Sequence, residues 1–173
     1  RAYSIGNKIK KVNIKRKASL PYIEKADKKL MGLVHDAIKN RKLGVEYRTR
    51  ADFELKVMSD MDYSAYFLIL YDIISEAKRR GSRVGPGRGS GAGSLVLFLL
   101  SVTEVDPLKY NLSFERFLNP SRAGMPDVDV DFDSETRHEI LHYASKKWNA
   151  IPVATYSRFN HKSLIHDLAK TFR

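Results

Sequence analysis

Residues 125–133 read MPDVDVDFD, and how this nonapeptide folds decides the architecture of the chain. Asp127, Asp129 and Asp131 alternate with Val128, Val130 and Phe132, the period of two that sends side chains to opposite faces of a β-strand. An apolar face then turns inward and three carboxylates, about 7 Å apart along the strand, turn outward. Like charges so placed repel one another and need a compensating cation. Magnesium is the natural candidate because it takes hard oxygen ligands, and two such ions sharing carboxylates form a recurring centre for phosphoryl transfer. The residues alone leave open an edge strand with solvated acids, or calcium held for stability.

Upstream, VGPGRGSGAG at 84–93 places five glycines and a proline in ten positions, and AGSLVLFLLSV follows it. The second run reads as a buried helix, so the order is a loop feeding a helix N-terminus. Such an end offers free backbone amides and the positive pole of a dipole to an anion, and glycines let a phosphate approach the backbone closely. Ser90 and Ser94 add hydroxyl donors and Arg88 a charged one. The pattern is neither a Walker loop nor a regular dinucleotide fingerprint. A flexible spacer is the alternative, but one seldom sits between two strongly apolar helices with an arginine at its middle. A triphosphate on the loop and metals on the aspartates would together suit nucleotidyl transfer.

Other segments are helical. Between Tyr22 and Lys42, Ile23, Ala26, Leu30, Leu33, Val34 and Ile38 recur at helical spacing, with Gly44 expected as the stop. A second helix is expected over Arg50–Met61, with Asp52 and Glu54 near its positive end. A third spans Ser64–Arg80, closed by KRRG with Gly81 beyond the last turn.

Composition bounds the function. The chain has 173 residues, 43% hydrophobic and 29% charged, enough for one globular domain with a real core. It has no cysteine, which excludes disulfides and thiolate zinc sites. The longest apolar run, LVLFLL at 95–100, is far short of the roughly 18 residues that a membrane-spanning helix needs, so no membrane partner is expected. The net charge of +11 favours polyanions. Residues 1–20 carry seven basic side chains and no acid and read as a basic N-terminal arm, ahead of a domain at 21–173; a solvated arm with no fixed partner is as good a reading. The chain opens on Arg1, which fits a processed or excised piece of something longer.

The run VGPGRGSGAGSLVLFLLSVTEVDPLKYNLSFERFLNPSRAGMPDVDVDFD resembles the palm of the C-family replicative DNA polymerases, the bacterial DNA polymerase III alpha subunits. The likeness continues upstream through ADFELKVMSDMDYSAYFLILYDII and downstream through VATYSRFNHKSLIHDLAK, covering roughly residues 20–170. It implies an α/β (α+β) fold of the polymerase beta-like nucleotidyltransferase kind, a mixed sheet flanked by helices. It also implies a DNA-directed DNA polymerase with two magnesium ions. Primer-template DNA, deoxynucleoside triphosphates and other polymerase segments or replisome subunits are the implied partners, in a bacterial or phage cytoplasm.

Carried over position by position, the resemblance makes Asp129 and Asp131 the catalytic, metal-binding aspartates, with Asp127 a weaker metal candidate. Arg88, Gly89, Ser90 and Ser94 contact the phosphates, Arg116 of FERFLNP lies near the active site, and Lys162 of FNHKSLIHDL matches a lysine preceding a helix. An ion pair with Glu115 or Glu104 is an equal reading for Arg116, as is a solvated helix surface for Lys162.

The sequence also departs from the pattern. TYSRFNHKSLIHD puts Ser157 where the family has a glycine and His166 where it has an arginine, and the family's third aspartate belongs to a strand beyond residue 173. Fingers, thumb and other domains lie outside the stretch. A non-catalytic or split-polymerase piece that binds DNA or scaffolds a replisome is therefore the competing reading, and a small template-independent nucleotidyltransferase a third. RHEILHY contains a literal HExxH in His138, Glu139 and His142, but a zinc protease also needs a third ligand and a substrate cleft.

Overall fold

The computed structural model describes residues 20–121, 125–153 and 161–171. The expected basic arm at 1–20 lies outside them except for Leu20, as does the Ser157 departure. Six α-helices occur among the described residues: α1 Ala26–Asn40, α2 Val45–Asp60, α3 Ser64–Arg79, α4 Leu95–Leu99, α5 Arg137–Trp148 and α6 His161–Thr171. Two short 3-10 turns also occur, Gly89–Gly93 just before α4 and Phe114–Arg116 after it.

The mixed sheet is the expectation that the structure overturns. No strand is present among the described residues, and the one extended pairing is an isolated antiparallel bridge between Val84 and Phe132. The aspartate run keeps its alternation, with Asp127, Asp129 and Asp131 exposed and Val128, Val130 and Phe132 packed against the core. It lacks a partner able to extend a ladder. The Gly85 N–H donates to the Asp131 carbonyl at 2.9 Å and the Asp133 N–H to the Arg83 carbonyl at 3.2 Å. Pro86 comes next and has no N–H to give, and the left-handed Gly87 and Gly89 carry the chain out of extended geometry. Side-chain alternation reports which face is buried; it does not guarantee a neighbouring strand.

The helices form where spacing placed them, with shifted ends. α1 stops before Gly44: Lys42 takes the left-handed conformation at φ 53°, and the Leu43 N–H reaches the Ile38 carbonyl at 3.1 Å. Gly44 instead precedes α2, which starts five positions before the expected Arg50 and carries Glu46 in its first turn. α3 ends as read, with Lys78 and Arg79 in the last turn, Gly81 at φ +79°, and the Ser82 N–H on the Ala77 carbonyl at 3.0 Å.

One apolar cluster joins α1 (Leu30, Val34, Ile38), α2 (Ala51, Leu55, Met58), α3 (Phe67, Leu68, Ile74), most of α4, and Phe114, Phe117 and Leu118. Phe67 and Phe114 are buried completely, each contributing about 1.5–3 kcal/mol by burial. Edge-on contacts at ring separations of 6.1 and 6.2 Å run from Phe67 through Phe117 to Phe114. The short α4 lies within this core. At its C-terminus Arg41 donates to the Phe98 and Leu99 carbonyls at 3.3 and 3.1 Å, a cation at the negative end of a helix. α5 is tied to α3 through Asp72, which accepts from Tyr143, Lys147 and Trp148 at 2.9, 2.7 and 2.8 Å.

Candidate active site

The Val84–Phe132 bridge lays the glycine loop along the aspartate run, bringing together two segments some forty residues apart in the chain. The closeness depends on missing side chains. A Cβ on Gly89, which sits at φ +65°, would lie 2.8 Å from Asp129 Oδ2, and one on Gly85 would lie 3.2 Å from Asp131 Cβ. From the loop, Arg88 reaches Asp129 Oδ1 at 3.5 Å and Asp131 Oδ1 at 3.4 Å. One guanidinium thus faces both carboxylates, one nitrogen on each.

The position of Gly89 gives a test. Gly89→Ala combines a left-handed backbone, which costs a residue with a Cβ about 1–3 kcal/mol of strain, with that 2.8 Å contact. Its melting temperature should fall; an alanine variant as stable as the parent by thermal unfolding would show that the loop has room to move.

Beyond Arg88 the loop forms one wall of a cleft of about 430 Å³, with Gly89, Ser90, Ala92 and Gly93 on one side and Asn111, Leu112, Ser113 and Arg116 on the other. Ser90 and Arg116 are exposed. The cleft therefore presents a hydroxyl, a guanidinium and a stretch of backbone next to the two aspartates, a donor set suited to an anion of several phosphate groups. Glu115, considered as an ion-pair partner of Arg116, accepts instead from the Ser113 hydroxyl at 2.6 Å, which holds its carboxyl below the usual range.

Ser94 is placed differently from the rest. It is fully buried, and its hydroxyl donates to Glu54 Oε2 at 2.8 Å. Glu54 also accepts from the backbone N–H groups of Leu95 and Val96, both at 3.0 Å, and from Arg50 Nε at 2.7 Å. Ser94 Oγ in turn caps the Leu97 N–H at 3.3 Å. The positive end of α4, read from the sequence as a landing point for phosphate, is thus satisfied by a carboxylate of the protein itself. Burial pushes the Glu54 carboxyl up, and the Leu95, Val96, Arg50 and Ser94 donors oppose it. Read from the sequence, Glu54 lies near the positive end of its own helix; that helix starts at Val45, and Glu54 acts instead at the start of α4, a role that such a reading misses. Its spacing from Ala51, Leu55 and Met58 put it on the apolar face of α2, the one available signal that it turns inward.

Behind the aspartates, the Tyr66 hydroxyl is pushed up to about 12 by burial and by the charge of Asp127, against a hydrogen bond from the Val128 backbone. Asp133, which follows the run, accepts from the Ser82 hydroxyl at 3.0 Å, the Arg83 N–H at 2.7 Å, and the N–H and hydroxyl of Thr136, both at 2.7 Å. Those bonds, the Thr136 ones foremost, hold its carboxyl far below the ordinary value, and Arg79 and Arg80 hold Glu76 at about 2. Both are depressed carboxylates, so their contribution is complete above their unfolded values near pH 4 and is lost as pH falls toward 2. The melting temperature should decline across that window, and a Glu76→Gln, Asp133→Asn double variant should be less stable at neutral pH with a flatter decline; an equally steep decline in the variant would assign the acid transition to other groups.

Lys162 falls in the first turn of α6, and its side chain lies outside the described residues, as does that of His166. His138 and His142 are exposed on α5, and the Glu139 between them pairs with Arg80 at 3.2 Å. No grouping of three or more histidine or acidic side chains suited to a metal ion occurs among the described residues, so the HExxH pattern has no third ligand there. Asp129 and Asp131 are two carboxylates, and magnesium is commonly held by one or two carboxylates with water and substrate phosphates completing its shell. No helix among the described residues is long and apolar enough to cross a membrane.

Residues 22–173 match the family model of the bacterial DNA polymerase III alpha NTPase domain. The chain is 48% identical over 128 residues to DNA polymerase III subunit alpha of Neisseria meningitidis serogroup B, covering 72% of the chain and 11% of that relative. It is 46% identical over 132 residues to the Rickettsia prowazekii subunit (75% and 11%), and 47% over 127 residues to the Mycobacterium tuberculosis one (72% and 11%). The matched stretch is therefore about a ninth of the length of these relatives.

Proposed function

The chain belongs to the bacterial DNA polymerase III alpha family, a family of DNA-directed DNA polymerases, and from that premise we propose that it is the palm portion that holds the incoming nucleotide for primer extension. The observation that carries this reading is the convergence of Asp129 and Asp131 on Arg88, beside a cleft bounded by Gly89, Ser90 and Arg116. On this reading residues 21–173 act as one unit and residues 1–20 as a basic arm on the DNA backbone.

Asp129 and Asp131 would hold magnesium, with Asp127 as a further oxygen ligand. The ion, when bound, supplies charge neutralisation of the phosphates and a lowered pKa for the primer hydroxyl. The protein's own part is positioning. Ser90 and the loop backbone orient the β- and γ-phosphates, and Arg88 and Arg116 offset their charge, with Lys162 a further candidate for that role. Ser94, held by Glu54, fixes the loop from below. The primer 3′ oxygen then attacks the α-phosphorus, and the bond to the bridging oxygen breaks in line as pyrophosphate leaves. Template, primer and further polymerase segments are the proposed partners.

The experiment is magnesium-dependent primer extension by the chain with Asp129→Ala and Asp131→Ala as controls. Extension lost in both variants supports the proposal. An inert chain that gains activity only with a second polypeptide makes it one part of a split enzyme. Labelling of an acceptor without a template would make it a template-independent transferase.

A further inference from the structure

Arg50 occupies a position that the proposed chemistry does not use directly. It projects from α2, three-quarters buried, with Nε on Glu54 at 2.7 Å and its guanidinium carbon 6.0 Å from the centre of the Phe114 ring. Its Nη2 donates to two carbonyls at once, Gly93 at 3.2 Å and Leu112 at 3.2 Å. Those carbonyls belong to the two chain segments that together line the cleft that carries Ser90 and Arg116. The segments are also in direct contact there: a Cβ on Gly93 would lie 2.6 Å from the Ser113 carbonyl oxygen.

We infer that Arg50 is a positioning residue that sets the width of the phosphate cleft, clamping its two walls together through one nitrogen while Glu54 fixes the clamp to the start of α4. This inference rests on the reading of the cleft as a triphosphate site. The physics favours a guanidinium in that place. Its planar fork satisfies the buried carboxylate along one edge and the two carbonyls along another. A lysine can pair with Glu54 as a point charge, but it cannot hold the same three acceptors in fixed directions. Glu54 has the complementary task. By satisfying the Leu95 and Val96 amides it removes them as competitors for phosphate, so the outward-facing loop is left as the anion-binding surface.

The test uses the 173-residue chain and magnesium with deoxyadenosine triphosphate as the probe, read by calorimetry, with double-stranded DNA as a second ligand. Arg50→Lys is expected to keep the fold, judged by its melting curve, and to lose about tenfold in triphosphate affinity, because a point charge cannot hold both carbonyls and the carboxylate in fixed directions. Its affinity for duplex DNA should stay within a factor of two, which a general loosening of the fold would not allow. Gly93→Ala pushes the same walls apart with Arg50 intact and should reproduce the selective loss; Arg50→Gln, which retains a donor, serves if lysine is not tolerated. A folded variant that binds the triphosphate as well as the parent overturns the inference, as does an equal loss for both ligands. Failure of the parent chain itself to bind the triphosphate overturns instead the reading of the cleft.

Discussion

Glu54→Ala should cost the chain about 3–5 kcal/mol of stability, the usual result of removing one member of a buried ion pair. The size follows from what is stranded. Arg50 loses its partner, and the Ser94 hydroxyl and the Leu95 and Val96 amides lose their acceptor inside a core where all three groups are buried. Against a typical total of about 5–15 kcal/mol, such a loss leaves little margin. At about 2–4 °C per kcal/mol for a domain of this size, melting should drop by on the order of 10 °C. Glu54→Gln isolates the charge. It keeps the shape and one acceptor, but its amide nitrogen meets N–H groups that can only donate, so it should fall between alanine and the parent. Thermal or urea unfolding decides the matter, and a loss under about 1 kcal/mol for alanine would mean that water replaces the carboxylate and that α4 does not depend on it.

Asp129→Asn and Asp131→Asn carry the second large effect, on chemistry rather than folding. Both carboxylates are substantially exposed, so neither change should move the melting temperature much. If the pair holds magnesium against the triphosphate, removing one anionic ligand forfeits several kcal/mol of transition-state stabilisation, which at 1.36 kcal/mol per factor of ten is about a thousandfold in rate. Primer extension measured over a magnesium titration checks this. Loss of activity with an unchanged fold supports the metal-binding role. Activity within a few-fold of the parent in both variants would place the chemistry elsewhere.

What could be read from the chain, and what could not, divides along the range of the interactions. The amphipathic spacing of α1 and the cations and glycine that close α3 are local, and they fold as they read. The likeness of residues 20–170 to the alpha subunits rests on long contiguous runs, and the family match bears it out. The aspartate run reads correctly by face, yet whether it joins a sheet depends on the segment opposite, and Pro86 and the left-handed glycines of that segment halt the ladder at one bridge. The fate of Ser94 was the least legible. Nothing near it in the chain announces a carboxylate forty positions upstream, and the Arg50 to Glu54 spacing reads equally well as an ordinary surface pair. Lys42 in the left-handed region is a similar case, since glycine was the residue expected to stop α1.

The bracing of α4 also bears on the order in which the chain assembles. Five residues, Leu95–Leu99, are far too few to be helical alone, because initiating a helix is costly and each added residue returns little. Glu54 of α2 closes one end, and Arg41, just past α1, closes the other. The hairpin of α1 and α2 is therefore expected to form first and to act as the template on which residues 94–99 wind, with the glycine loop taking its shape after that. In a stopped-flow refolding experiment with pulsed amide labelling, protection of Leu33, Val34 and Met58 should precede that of Leu97 and Leu99, so the surface that would receive a nucleotide is among the last parts of the domain to exist.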